Sequence, residues 1–182
     1  QKKDMALYRE MEWVSSSMGR ELEFSPGEWE GLLFSGSISN ADYIAGRIAA
    51  RKIHVPYAKL AEFAVRKSPV QGERLEGAAN YIALTARELK GNRDDLVTRM
   101  RDGNRNFRLF GVAVLAEAAD TESVPLLLEY LTGMDVNLAD ASYEALRKIT
   151  GLDPAGTPGV QRNSPDSVWR FREQYGRNRT GR

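Results

Sequence analysis

Three leucines, Leu84, Leu115 and Leu146, stand 31 residues apart, each preceded by an apolar residue (Ala83, Val114, Ala145). The same step separates Leu96 from Leu127 and Met100 from Leu131. Around these positions apolar residues recur at helical spacing, and strand-like alternation is nearly absent. A fixed period of this size means that one supersecondary unit is used again and again, each copy burying its apolar face on its neighbours. Short helices expected near 26–35, 56–67, 93–102 and 121–132 alternate with helices near 40–51, 73–90, 105–118 and 136–150. A first helix carries Leu7, Met11, Val14 and Met18 on one face, and a last one starts at Ser164-Pro165 with Val168, Trp169, Phe171 and Tyr175.

The helix boundaries are written in capping chemistry. Ser25-Pro26-Gly27-Glu28 sets a capping serine, a proline at the first helical position and a glutamate closing the box. Ser39 is read as the start of the next helix, with Asp42 three residues on. Pro56 opens another helix, and Ser68-Pro69 ends it. Asn92, Asp120 or Thr121, and Asp135 are read as later caps, and Gly91, Gly103 and Gly151 as stops. From Phe107 to Ala119 the chain is apolar nearly all round, as in a helix packed on several sides.

Composition narrows the chemistry. The 182 residues include no cysteine and one histidine, His54. Disulfides, thiol nucleophiles, cysteine-based metal sites and two-histidine metal sites within one chain are thereby excluded. Lys plus Arg number 26 against 25 Asp plus Glu, a balance that speaks against nucleic acid as the partner. No run approaches the roughly 18 apolar residues of a membrane span. The first residue is Gln1, so the sequence reads as a processed chain or a piece of something longer, soluble, in a compartment left open between cytoplasm and export.

The stretch Asp95-Leu96, Met100-Arg101-Asp102, Arg108, Leu115, then Ser123-Val124-Pro125-Leu126-Leu127, Leu131, Ala139 and Ala145-Leu146-Arg147-Lys148-Ile149-Thr150-Gly151 resembles HEAT-like repeats of the short type. These have roughly 30 residues and occur also in the phycobilisome lyase group. A repeat closing on Ile149-Thr150-Gly151, followed by a loop and a Trp-bearing helix, is similar to the end of bacterial HEAT-repeat proteins. The resemblance implies an all-α, right-handed superhelix of three to four helical hairpins with additional terminal helices. Residues 1–71 would hold a capping helix and a degenerate repeat, 72–151 the repeats, and 152–182 a loop, the Trp-bearing helix and a basic tail. It implies a non-enzymatic interaction or scaffold domain with another protein as partner. The alternatives are a phycobilisome-lyase-type chromophore lyase or regulator and a HEAT-like nucleic-acid-binding protein. No cofactor and no metal are expected.

Individual residues fit that reading. His54, in Ile53-His54-Val55-Pro56, is read as a linker or capping histidine rather than a general base. Ser35-Gly36-Ser37 lacks the frame of a nucleophile elbow. Gly176 to Arg182 lacks the lysine, strand and helix of a phosphate loop. Glu10, Glu12, Glu21, Glu23, Glu28 and Glu30 read as a solvated acidic face. Arg99, Arg101, Arg105 and Arg108 bracket the Gly103-Asn104 turn and form the candidate protein-binding ridge, with at least three expected in solvent. Arg108 is also read as a structural cap on carbonyls of the next repeat. Residues 1–30 hold four Lys/Arg against seven Asp/Glu, and residues 160–182 six Arg against two acids. That asymmetry suits head-to-tail self-association through the chain ends or, as is commoner, a disordered basic tail. Trp13, Trp29 and Trp169 are expected to close those ends. If the 31-residue register is structural, Leu115 and Leu146 are both buried, and Leu→Ala at either should cost about 2–5 kcal/mol in urea unfolding.

Overall fold

The computed structural model describes Tyr8, Glu12 and residues 23–67, 77–154 and 164–180. Most of the first expected helix, with Trp13, lies outside the described residues, as do Ser68-Pro69 and residues 155–163 of the Gly- and Pro-rich loop. The described residues are helical, with no strand among them. The helices are α1 (Pro26–Leu33), α2 (Ile38–Ala50), α3 (Tyr57–Lys67), α4 (Ala79–Arg87), α5 (Arg93–Asp102), α6 (Arg105–Glu117), α7 (Val124–Leu131), α8 (Val136–Thr150) and α9 (Pro165–Thr180). A single 3₁₀ turn, Thr121–Ser123, leads into α7. The chain divides into two compact units, residues 1–96 and 97–182. Of the two boundaries expected from sequence, 71/72 lies outside the described residues and 151/152 falls just after α8, within the second unit.

In the first unit α2 packs on α1 and on α4, and α4 also meets α3. Helix α1 starts as its sequence dictates. Ser25 accepts from the Glu28 backbone N–H, and the Glu28 carboxylate accepts from the Ser25 N–H at 3.0 Å. Trp29, Leu32 and Leu33 then face inward. Helix α2 begins earlier than the Ser39 reading. Its cap is Ser37, whose hydroxyl accepts from the Asn40 N–H. That shift releases Asp42 for another task. Helix α4 has no side-chain cap of its own at Ala78. Asp42 supplies one from α2, accepting from the Tyr81 N–H at 2.9 Å and from Asn80 Nδ2 at 3.0 Å. The Tyr81 hydroxyl in turn donates to the Leu60 carbonyl of α3 at 2.7 Å. Burial pushes the Tyr81 phenol well above its ordinary pKa, so it stays a neutral donor.

In the second unit α6 packs on α8, and α8 on α7. Helix α6 is buried around most of its circumference, as its composition requires: Phe107, Leu109, Phe110, Gly111, Val112, Val114, Leu115 and Ala116 are all buried. Gly111 is there for closeness. A Cβ on it would stand 2.4 Å from both Cγ and Sδ of Met100, so only hydrogen lets the α5 side chain lie against α6. Asn104 caps α6 and Asp135 caps α8, each with a side-chain oxygen on backbone N–H groups. The caps are 31 residues apart, and so are Leu115 and Leu146, both fully buried at matching positions of α6 and α8.

Helix α9 corrects two expectations. The basic C-terminal segment is helical through Thr180, so Gly176–Thr180 is neither a tail nor a loop. Val168 and Phe171 are buried, whereas Trp169 is 63% exposed. The reason is phase: 168, 171 and 175 share a face, and 169 stands about 100° off it. The end-closing role read for Trp169 falls to Val168 and Phe171. Trp29 is buried as expected, beneath the Arg51 guanidinium.

Helices α2 and α6 share an unusual exit. Lys52 (φ 55°) and Ala119 (φ 50°) occupy the left-handed region that favours glycine. The following N–H groups reach back five residues in a Schellman pattern, Ile53 N to Ile48 O and Asp120 N to Leu115 O, each at 3.1 Å. After α8 the left-handed residue is Gly151 (φ 70°), one position nearer the helix end. Replacing Ala119 with glycine should therefore raise unfolding stability by about 0.5–1 kcal/mol, against the usual trend for Ala→Gly. Urea denaturation of the pair of proteins measures it.

Candidate protein-binding surface

The Gly103-Asn104 turn joins α5 to α6, and the Thr132–Asp135 turn joins α7 to α8. Both belong to the second unit. Gly103 ends α5 tightly: a Cβ there would be 2.3 Å from the Arg99 carbonyl oxygen, which only glycine tolerates. Arg108, one turn into α6, reaches back. Its Nε donates to the Met100 carbonyl at 3.0 Å and its Nη2 to that of Arg101 at 3.3 Å. These are carbonyls at the C-terminal end of α5, where a cation is favoured by the exposed acceptors and the helix dipole. The cap thus acts on the preceding helix rather than on the next repeat.

Arg105 at the start of α6 extends to the cap of α8. Its Nε donates to Asp135 Oδ2 at 2.6 Å, while Asp135 Oδ1 accepts from the Asn137 and Leu138 N–H groups, both at 3.1 Å. Desolvation pushes the Asp135 carboxyl up, but the Arg105 bond and the two backbone donors outweigh it and hold the group below the usual carboxylate range. Tyr130 on α7 lies within electrostatic reach of Arg108 and Arg101. Burial raises its phenol pKa, and the two guanidinium groups oppose that rise.

Of the four arginines, Arg101 is exposed, and Arg99, Arg105 and Arg108 are half-buried. The expectation of three in solvent gives way because Arg105 and Arg108 turn inward onto Asp135 and the α5 carbonyls. The structure adds two residues that charge-based reading passed over. Met134 is fully exposed and Val136 is 70% exposed, flanking the Asp135 that Arg105 holds. A residue before an N-cap ordinarily packs on the fourth helical residue, here Ala139. Met134 forgoes that staple and stands in water. Guanidinium groups beside exposed Met and Val have the composition of an interface core. The cap pattern places Val136 at the first helical position beside Asp135, but nothing in the sequence marks Met134 as a residue that leaves the staple unmade.

Other clusters have structural duties. Glu12, read as solvated, is largely buried. It pairs with Arg47 at 2.9 Å and accepts from the Tyr43 hydroxyl and, at 3.4 Å, from that of Tyr8. Glu30 pairs with Lys59. His54 Nδ1 lies 2.6 Å from Glu88 Oε2, and Arg87 donates to the Ile53 carbonyl, so the α2–α3 linker is tied to the end of α4. That agrees with a linker histidine. A cavity of about 540 Å³ lies against Thr121, Glu122, Ile149, Thr150, Leu152, Tyr175 and Asn178, with Glu122 its single ionisable carboxylate. Among the described residues no three His, Cys, Asp or Glu gather as metal ligands, and no helix is long and apolar enough to cross a membrane.

No protein-family model, curated protein or solved structure matches the chain.

Asp135 is the joint between the two turns, and its protonation should be readable. Because its folded pKa is depressed, it contributes stability above the ordinary carboxylate pKa and loses that contribution as pH falls through its folded value. Asp135→Asn keeps a capping oxygen and loses the charge on Arg105. The variant should be less stable than the parent by about 0.5–1 kcal/mol at pH 7, a gap that closes below about pH 4. Thermal unfolding across pH reads both.

Proposed function

We propose that the chain is a non-enzymatic protein-interaction domain whose second unit engages a partner protein along the edge formed by the α5–α6 and α7–α8 turns. Met134 and Val136, exposed beside the Arg105–Asp135 pair, are the observation that carries the reading. Arg101 supplies an exposed charge on that edge, and Arg99, Arg105 and Arg108 supply its basic field and its rigidity. Arginine and methionine are both enriched where proteins meet, and residues held by caps and cross-links lose little freedom on binding.

In this reading the helices form a HEAT-like array of short hairpins wound as a right-handed superhelix. The matched positions of Leu115 and Leu146, the 31-residue spacing of the Asn104 and Asp135 caps, and the packing of α6 on α8 and α2 on α4 support it. The edge then runs from hairpin to hairpin and adds contacts along a partner, with a few side chains supplying most of the affinity.

A photo-cross-linking side chain placed at position 134 tests the proposal in cells of the source organism. A discrete cross-linked protein is expected there and none from the same probe at the outward-facing Lys59 position. Binding of that protein should weaken at least about fivefold, near 1 kcal/mol, with Arg101→Glu or Met134→Asp. The Arg101→Glu effect should shrink at high salt. Thermal stability should stay within about 0.5 kcal/mol for either variant, as exposed substitutions usually leave it. Equal cross-linking at both positions, or unchanged affinity of both variants, would move the interaction elsewhere.

A further inference from the structure

We infer that α9 carries a second docking site, built on Trp169 and Arg172, for an acidic segment of another protein that bears an apolar side chain. The site is separate from the turn edge and does not rest on that reading. Trp169 is the largest exposed apolar side chain among the described residues, at 63%. Arg172 is exposed and lies three positions on, the spacing that puts two side chains over one stretch of helix. Gly176 follows at the seventh position, and a Cβ built there would meet nothing within 4 Å. Along one line α9 thus offers an indole, a guanidinium and an open step. The opposite face is spent: Val168 and Phe171 are buried, and Phe171 stacks on Tyr175 at 6.0 Å, whose hydroxyl donates to the Thr121 carbonyl. With its inner face anchored, α9 presents the Trp169 line as a rigid surface.

Charge selects the occupant. Helix α9 holds Arg170, Arg172, Arg177 and Arg179 against Asp166 and Glu173, a positive surplus. Glu173 is taken up by Arg177. Asp166 stands one turn before Trp169, Arg172 is the one cation on the Trp169–Gly176 line, and Glu173 separates Arg170 and Arg172 from Arg177, so the helix offers separate guanidinium groups rather than the continuous basic track that a phosphate backbone or an anionic membrane follows. Paired recognition of a carboxylate by arginine beside an indole suits a peptide with Asp or Glu next to an apolar residue. The chain's own acidic N-terminal stretch is a poorer match. Within it Glu12, Glu28 and Glu30 are already held by Arg47, the Ser25 cap and Lys59.

Selection of a displayed library of random short peptides against the whole chain tests this. Enriched peptides should place Asp or Glu beside Leu, Phe, Met or Trp. A fluorescein-labelled member should lose about tenfold or more in affinity with Trp169→Ala and with Arg172→Glu, less with Trp169→Phe, and nothing with Met134→Asp. Both α9 substitutions are at exposed positions, and unchanged helical circular dichroism will show that the fold is kept. The inference is overturned if enriched peptides are not acidic or if they still bind Trp169→Ala. Tighter binding of labelled oligo-dT than of the peptide overturns it in favour of nucleic acid. Concentration-dependent dimerisation abolished by Trp169→Ala, with no peptide binding, overturns it in favour of a second copy. Peptides lost with Met134→Asp and kept by Trp169→Ala would instead support the turn edge alone.

Discussion

Helices of eight to sixteen residues do not hold themselves together in water. Every helix among the described residues is that short, so each exists only while its apolar stripe is covered and its end groups are satisfied by something outside it. From this one constraint the rest follows. Apolar residues must recur on a fixed helical phase, as Ile44, Ala45 and Ile48 do on α2 and Ala139, Tyr143 and Leu146 do on α8. The ends must be closed within a residue or two, which is why serine, asparagine and aspartate stand at so many starts and why α2, α6 and α8 all leave through a left-handed residue.

Closing the ends also links neighbours. Asp42 of α2 caps α4, Arg105 of α6 binds the cap of α8, and Arg87 at the end of α4 reaches the carbonyl that follows α2. Lys148 of α8 pairs with Glu117 at the end of α6. Apolar contact is indifferent to small slides of one helix along another, because burial is nearly non-directional. A hydrogen bond to a particular backbone N–H is not. The cross-links therefore fix the axial register that leucine stripes alone leave loose. Their individual contributions at the surface are small, about 1 kcal/mol or less each, so their effect lies in choosing one arrangement over its neighbours.

Much of this was legible in sequence wherever the determinant is local. The Ser25–Glu28 box, the Asp120 and Asp135 caps and the inward phase of Leu115 and Leu146 depend on residues a few positions apart, and they stand where spacing put them. What escaped were residues whose partner lies on another element. Asp42 looks like part of its own helix start, and nothing near it in sequence says that α4 lacks a cap. Glu12 looks like one acid among many until Arg47 and Tyr43 arrive from α2. The arginines of the α5–α6 turn look like one ridge because charge is visible in sequence and direction is not. Two of them turn onto Asp135 and the α5 carbonyls. Trp169 was misjudged for a different reason: its size suggested burial, and the phase set by Val168 and Phe171 prevailed.

Scattered apolar residues on a surface are ordinary and by themselves carry no message. Met134, Val136 and Trp169 differ in how they come to be there. Met134 and Val136 flank a cap that Arg105 holds, so the backbone that presents them is fixed by the α6–α8 link. Trp169 is held outward by two buried residues of its own helix. The backbone that presents all three is thus fixed by the same caps and stripes that make the fold, and it needs no rearrangement when a partner covers them. A surface fixed in this way pays its ordering entropy during folding rather than on binding, which leaves more of each contact for affinity. Arginine near both patches adds the directional element that apolar contact lacks. Folding alone requires neither the methionine nor the tryptophan at these positions, and both are therefore free to serve the recognition proposed above.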